Sequence, residues 1–95
     1  MKKQTQATEA SINVFKALAD PIRLAIIRYL RQHDQALSCG EIGQAMQISK
    51  TSGSYHFKIL QEAGLITVRK VGREKFVKLD RVTFDHYLIH FWQNL

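Results

Sequence analysis

A chain of 95 residues, 45% of them hydrophobic and only one of them proline, suits one packed domain and is too apolar for a disordered segment. Its net charge is +6, and its single cysteine excludes an intrachain disulfide. No apolar run approaches a membrane span, and MKKQTQATEA has no apolar stretch behind its basic start. Neither an anchor nor a signal peptide is therefore expected, and the expected compartment is the cytoplasm.

From Glu9 to Ala19, the helical spacing of Ile12, Phe15 and Leu18/Ala19 predicts a first helix. Asp20-Pro21 then restarts the count, because aspartate caps a helix through its side chain and proline fits the first helical position. The second helix runs to about Arg31 and draws its buried face from Ile22, Leu24, Ile26, Ile27 and Leu30. Ser38 and Glu41 have capping-box spacing and open a short third helix through Met46. After the tight turn Gln47-Ile48, Ser49 caps a fourth helix, Lys50–Ala63, which stops at Gly64. Leu65–Val71 and Lys75–Leu79 alternate as strands around Gly72-Arg73, which predicts a hairpin, and Thr83 to the end reads as a last helix.

The charge is unevenly placed. Residues 50–81 hold eight Lys or Arg against three acidic residues, a basic stripe of the kind that meets a polyanion, nucleic acid above all. The third and fourth helices with their tight turn form a helix-turn-helix over residues ~39–63. At about 100° per residue, Gly53, Phe57 and Leu60 fall on the inner side of the fourth helix, with Thr51, Tyr55, Lys58 and Glu62 opposite and Ser54 beside them. That outer face, with the helix N-terminus, offers hydroxyl, phenol, ammonium and amide groups to base edges and phosphates in a major groove. Tyr55 could instead lie flat over the hairpin, and His56, toward the packed edge, fits a structural hydrogen bond as well as a DNA contact. The hairpin, a wing over residues ~65–80, carries Arg69, Lys70, Arg73 and Lys75 around its tip, placed to grip the adjacent backbone. Lysine also blocks aggregation at exposed strand edges, which accounts for part of that charge.

In the last helix Phe84, Leu88, Phe91, Trp92 and Leu95 share one stripe, with Tyr87 alongside. In so small a domain the stripe is expected to be shared between the core and a two-fold mate, together with Ile12 and Phe15.

FKALADPIRLAIIRYL at 15–30, ISKTSGSYHFKILQEAGLI at 48–66 and the RKVGREKFVKL hairpin together resemble the ArsR/SmtB family of bacterial winged-helix repressors. The resemblance implies a mainly α fold with a small β-hairpin: one dimeric winged helix-turn-helix domain over residues 1–95, in the order α-α-α-α-β-β-α. It also implies a homodimer on double-stranded, palindromic operator DNA that is released by an inducer, and it places Lys50, Thr51, Ser52, Ser54, Tyr55 and Lys58 on operator-contacting positions. Gly53 departs from the larger apolar residue usual there.

The family's sensing motifs are incomplete in this sequence. Its thiolate site has a Cys-Val-Cys-type motif where this chain reads LSCGEIGQAM, with Cys39 alone. In place of its carboxylate–histidine site on the C-terminal helices, Asp85, His86 and His90 crowd together without further ligands. The expected reading is therefore a repressor with no resident metal or cofactor and no catalytic activity, since Gly-rich phosphate loops and recognisable catalytic carboxylate pairs are missing. A metal- or redox-responsive repressor using His86/His90 or Cys39 is one alternative; a winged helix used for protein–protein contact is the other. A helix N-terminus lowers a thiol pKa, but one cysteine per chain lacks a resolving partner, so a structural role is expected for Cys39.

Overall fold

Helix α1 (Lys2–Leu18) begins ahead of the first apolar residues, in a computed structural model that describes the backbone from Lys2 to Leu95 and the side chains from Glu9 onward. Its early turns read KKQTQAT, residues that mostly favour a helix yet lack the apolar stripe a periodicity argument needs. Val14 and Ala17 are buried and Leu18 packs against them, while Ile12 and Phe15 stay more than 40% exposed. The first helix therefore has two apolar faces, one spent on the core and one turned outward.

Asp20 starts helix α2 (Pro21–Arg31) by accepting the backbone N–H groups of Ile22 and Arg23 on one oxygen, at 2.9 and 3.0 Å. Those bonds, chiefly the one from Arg23, hold its carboxyl below the ordinary value of 3.8. The cap therefore adds stability above the ordinary carboxylate range and loses it as pH falls through the lowered value. Of the apolar candidates in α2, Ile26 and Leu30 are buried and Ile27 packs beside them, whereas Ile22 and Leu24 are exposed.

Leu37 and Ser38 form a short strand, β1 (Leu37–Ser38), absent from the sequence expectation because two residues carry no readable period. Ser38 is also the N-cap of helix α3 (Cys39–Met46), with both bonds of the capping box present: Glu41 N–H to Ser38 Oγ at 3.0 Å, and Ser38 N–H to Glu41 Oε1 at 3.1 Å. Gln47 ends α3 in the left-handed region at φ 55°, where Ile48 N–H reaches back to Gly43 O at 2.8 Å. Helix α4 (Lys50–Glu62) follows, with Ser49 Oγ accepting from Ser52 N–H. It closes in a Schellman motif, Leu65 N–H to Leu60 O and Gly64 N–H to Gln61 O, with Gly64 at φ 80°.

Strands β2 (Ile66–Val71) and β3 (Glu74–Leu79) pair antiparallel from Ile66↔Leu79 to Val71↔Glu74. β1 joins the other edge of β3 through Leu37↔Val77, giving a three-stranded sheet in the order β1-β3-β2. Val77 is fully buried between Leu37 and Val68, and this strip ties the hairpin base to the helices. The remaining core comes from Val14, Ala17, Ile26, Leu30, Ile42, Phe57, Leu60, Leu65 and Ile66.

The last helical segment differs from the single helix expected from Thr83. It starts at Arg81, after an Asp80 cap that accepts from Thr83 N–H at 3.2 Å, as α5 (Arg81–Phe84). It then widens into a π turn over Asp85–Ile89 and tightens to 3-10 over Trp92–Asn94. The π turn adds a residue to the repeat and divides the apolar stripe. Phe84, Tyr87 and Leu88 are half-buried and pack against the protomer's own core, the share of the stripe expected there. Phe91 meets the ring of Phe15 edge-on, and Trp92 and Leu95 stay exposed together with Ile89 and Val82, which the stripe did not include.

Gly53, buried on the inner side of α4, has room for a methyl group: an added Cβ would lie 3.6 Å from the Phe57 ring and 3.9 Å from Ile48 Cγ2. Gly53→Ala is expected to stabilise the fold by about 1 kcal/mol through helix propensity, raising the midpoint of a thermal melt by several degrees. A lowered midpoint would mean that the turn into α4 needs glycine for another reason.

Candidate nucleic-acid interface

Helix α4 divides along its length. Gly53, His56, Phe57 and Leu60 are buried, whereas Lys50, Thr51, Ser54, Tyr55 and Lys58 are exposed, Tyr55 at 61%. Ser52 lies at the boundary, half-buried. The exposed set makes one continuous flank of hydroxyls, a phenol and two ammonium groups. With so much of its surface open, Tyr55 is not covered by the hairpin.

Beyond that flank runs an open groove of about 870 Å³ between α3, α4 and the hairpin. Lys50, Ser54 and Lys58 line it from the helix, and Lys70, Arg73 and Lys75 from the hairpin. The Gly72-Arg73 turn makes this possible. Only Gly72 takes positive φ, at 63°, which fits the reversal of a two-residue hairpin and carries the Arg73 side chain to the tip. Five cations thus border one trough, against a single acid there, Glu74, and the capped N-terminus of α4 adds the positive end of its dipole. Arg69 is exposed but does not line the groove, and Thr51, Ser52 and Tyr55 lie outside it on the helix flank. Gln44 and Gln61, not singled out from the sequence, also line it. The helical spacing of Gln61 from Lys58 was the available signal for that residue.

His56 does not belong to this surface. It is 7% exposed, and its Nδ1 lies 3.1 Å from Arg23 Nη1. A guanidinium has only donors, so Nδ1 accepts and the ring hydrogen sits on Nε2. Arg23 in turn donates Nε–H to Ala17 O at 2.6 Å and Nη2–H to Lys16 O at 3.4 Å, and Asp20 Oδ2 stands 3.9 Å from the imidazole. Of the two readings open at the sequence level, the structural hydrogen bond holds, and the DNA contact is corrected because the ring faces inward.

The candidate sensing residues are sparsely surrounded. Cys39 is half-buried at the start of α3 beside the groove, and burial pushes its thiol up, with Lys75 pulling the other way. The thiolate favoured by a helix N-terminus is thus opposed here by desolvation. His90 meets Gln93 Oε1 at 3.0 Å and Asp85 Oδ1 at 3.5 Å, and His86 packs edge-on to Tyr87. Among the described residues no group of three or more His, Cys, Asp or Glu side chains is placed to hold a metal ion. No helix among them is long and apolar enough to cross a membrane.

A helix-turn-helix followed by a basic hairpin, sharing one cationic trough, defines a winged-helix DNA-binding architecture. Residues 18–69 match the family model for a helix-turn-helix domain. The HTH-type transcriptional regulator YceK of Bacillus subtilis is 50% identical over 95 residues, spanning all of this chain and 93% of that one. The transcriptional repressor SmtB of Mycobacterium tuberculosis is 34% identical over 82 residues, which are 86% of this chain but 56% of that protein. Among solved structures, the homodimeric winged helix-turn-helix DNA-binding domain of a possible ArsR-family regulator from Mycobacterium bovis superposes with a TM-score of 0.81, covering 98% of this chain and 85% of that one at 20% identity. The chain belongs to the ArsR/SmtB family of winged helix-turn-helix transcriptional regulators, a family of DNA-binding proteins and not of enzymes.

Proposed function

We propose that this protein is a homodimeric transcriptional repressor acting in the cytoplasm on a two-fold symmetric operator in double-stranded DNA. In this reading Thr51, Ser54, Tyr55 and Lys58 enter the major groove, while Lys50, Lys70, Arg73 and Lys75 clasp the neighbouring phosphates. The carrying observation is the single trough in which α4 and the hairpin bring those cations together. A partner-protein surface has no need of five cations around one groove, so DNA is favoured over protein contact. The homodimer is supported by the Mycobacterium bovis domain, which is described as homodimeric, and by the outward apolar residues of α1 and the C-terminal segment.

The test is selection of bound duplexes from a randomised pool, followed by titration of the selected duplex and a scrambled one. Wild-type protein should prefer the selected duplex by about 10³-fold or more. Tyr55→Ala, which removes an exposed side chain and leaves the core alone, should lower that preference by about tenfold or more, a loss within the range of one base contact. Full preference in the variant would remove Tyr55 from the reading face. Failure to enrich any duplex would sink the DNA reading.

A further inference from the structure

The Arg23–His56 contact lies outside the DNA-facing surface, yet it joins the parts whose relative position decides how that surface is presented. Arg23 sits in the first turn of α2, and its side chain spends two of its nitrogens on the carbonyls of Lys16 and Ala17 at the end of α1. The remaining nitrogen reaches across to His56, in the middle of α4 on the face opposite Lys58. One guanidinium therefore pins the end of α1 to the buried face of the reading helix. The outer face of the same α1 carries the exposed Ile12 and Phe15.

We propose that Arg23 and His56 form a latch that sets the position of α4 relative to α1, making both of them positioning residues for operator discrimination. The inference rests on the DNA-binding reading above. Its chemistry follows from the donors and acceptors present. Nδ1 accepts from Arg23 Nη1 at 3.1 Å, and a side chain without an acceptor at that place leaves a guanidinium donor unpaired. The charged groups facing the ring are Arg23 and Asp20, both from the α1–α2 corner, while Tyr55 on α4 presents its ring at 5.2 Å. α1 enters through backbone carbonyls on Arg23 and not through a charge of its own. Asp20 Oδ2 lies 3.9 Å from the ring and already accepts two backbone N–H groups, which leaves Arg23 as the ring's hydrogen-bond partner. Without the Arg23 bond the ring and the helix that carries it are free to shift, so breaking the latch is expected to weaken reading without abolishing the basic grip.

The experiment compares wild type, His56→Leu, Arg23→Gln and His56→Asn on the selected and the scrambled duplex, well below each protein's melting temperature. The readout is the ratio of the two affinities. Asparagine can place an acceptor where Nδ1 lies but does not titrate; leucine has no acceptor. The ratio is expected to fall about tenfold in His56→Leu and Arg23→Gln, in line with losing a hydrogen bond to a charged group, and to stay within about threefold of wild type in His56→Asn. A folded His56→Leu or Arg23→Gln protein with an unchanged ratio would overturn the latch. Should the leucine and glutamine variants fail to fold, His56→Asn decides alone, and a ratio lowered about tenfold in it would overturn the acceptor role of Nδ1. If wild-type protein discriminates between no duplexes, the DNA reading fails and the latch falls with it; if it discriminates and the variants do not differ, only the latch fails.

Discussion

Raising monovalent salt from about 50 to about 200 mM should weaken binding of the dimer to its duplex by about 10³–10⁵-fold. Lys50, Lys70, Arg73 and Lys75 border one groove in each protomer, so a symmetric complex offers two such sets to the phosphates. Each phosphate neutralised contributes about 0.9 to the slope of log affinity against log salt, through release of condensed counterions. Arg73 is the best single probe. It lies at the hairpin tip, exposed, where Gly72 and not Arg73 carries the unusual backbone angle, so Arg73→Gln leaves the turn and the core intact. Gel-shift or anisotropy titrations across salt should show the slope flattened by about 2 for the dimer, with selected and scrambled duplexes weakened alike. A variant with the wild-type slope would show that the hairpin tip never meets the backbone, and a slope near zero in the wild type would remove the electrostatic basis of the groove.

What the sequence disclosed and what it hid follow the range of the interactions. The Ser38–Glu41 capping box, the Asp20-Pro21 start and the Gly64 stop are contacts between residues a few positions apart, and each appears with the expected partners. The inner and outer faces of α4 were equally legible, since a wheel needs only the helical period. β1 was hidden because Leu37 becomes a strand only by pairing with Val77, far along the chain. The π turn was hidden too, because periodicity assumes an unbroken α repeat and so kept Phe84 and Leu88 in one stripe with Trp92 and Leu95. His56 lay between these cases. Its wheel position showed that it leaned inward, but its partner Arg23 is 33 residues away and no local pattern points to it. The basic residues of the groove were legible as a charge run, whereas their convergence with Gln44 and Gln61 required the fold.

Trp92→Glu should convert a dimer into a monomer and reduce affinity for a two-fold symmetric operator by orders of magnitude. Trp92 is 83% exposed in the protomer, three residues from the exposed Ile89 and from the exposed Leu95, and it follows Phe91, whose ring meets Phe15 of α1 at a separation of 5.0 Å. Apolar side chains this large, clustered at the meeting of the first and last helical segments, are what a self-complementary interface buries. A two-fold axis brings any substitution in twice, so each glutamate is desolvated and also placed near its own copy, a cost of several kcal/mol at minimum. The position also isolates the effect: Leu88 or Phe84 would damage the core that they pack against, whereas Trp92 lies outside that core. Wild-type protein should sediment at roughly twice 11.0 kDa and the variant near 11.0 kDa, with an unchanged far-ultraviolet circular dichroism spectrum. Operator affinity should fall because the two half-sites no longer share one binding event, while contact with a single half-site survives at the weaker level of one module. A variant that still sediments as a dimer would place the interface elsewhere. A wild-type monomer at micromolar concentration would remove the two-fold symmetry on which the operator geometry depends.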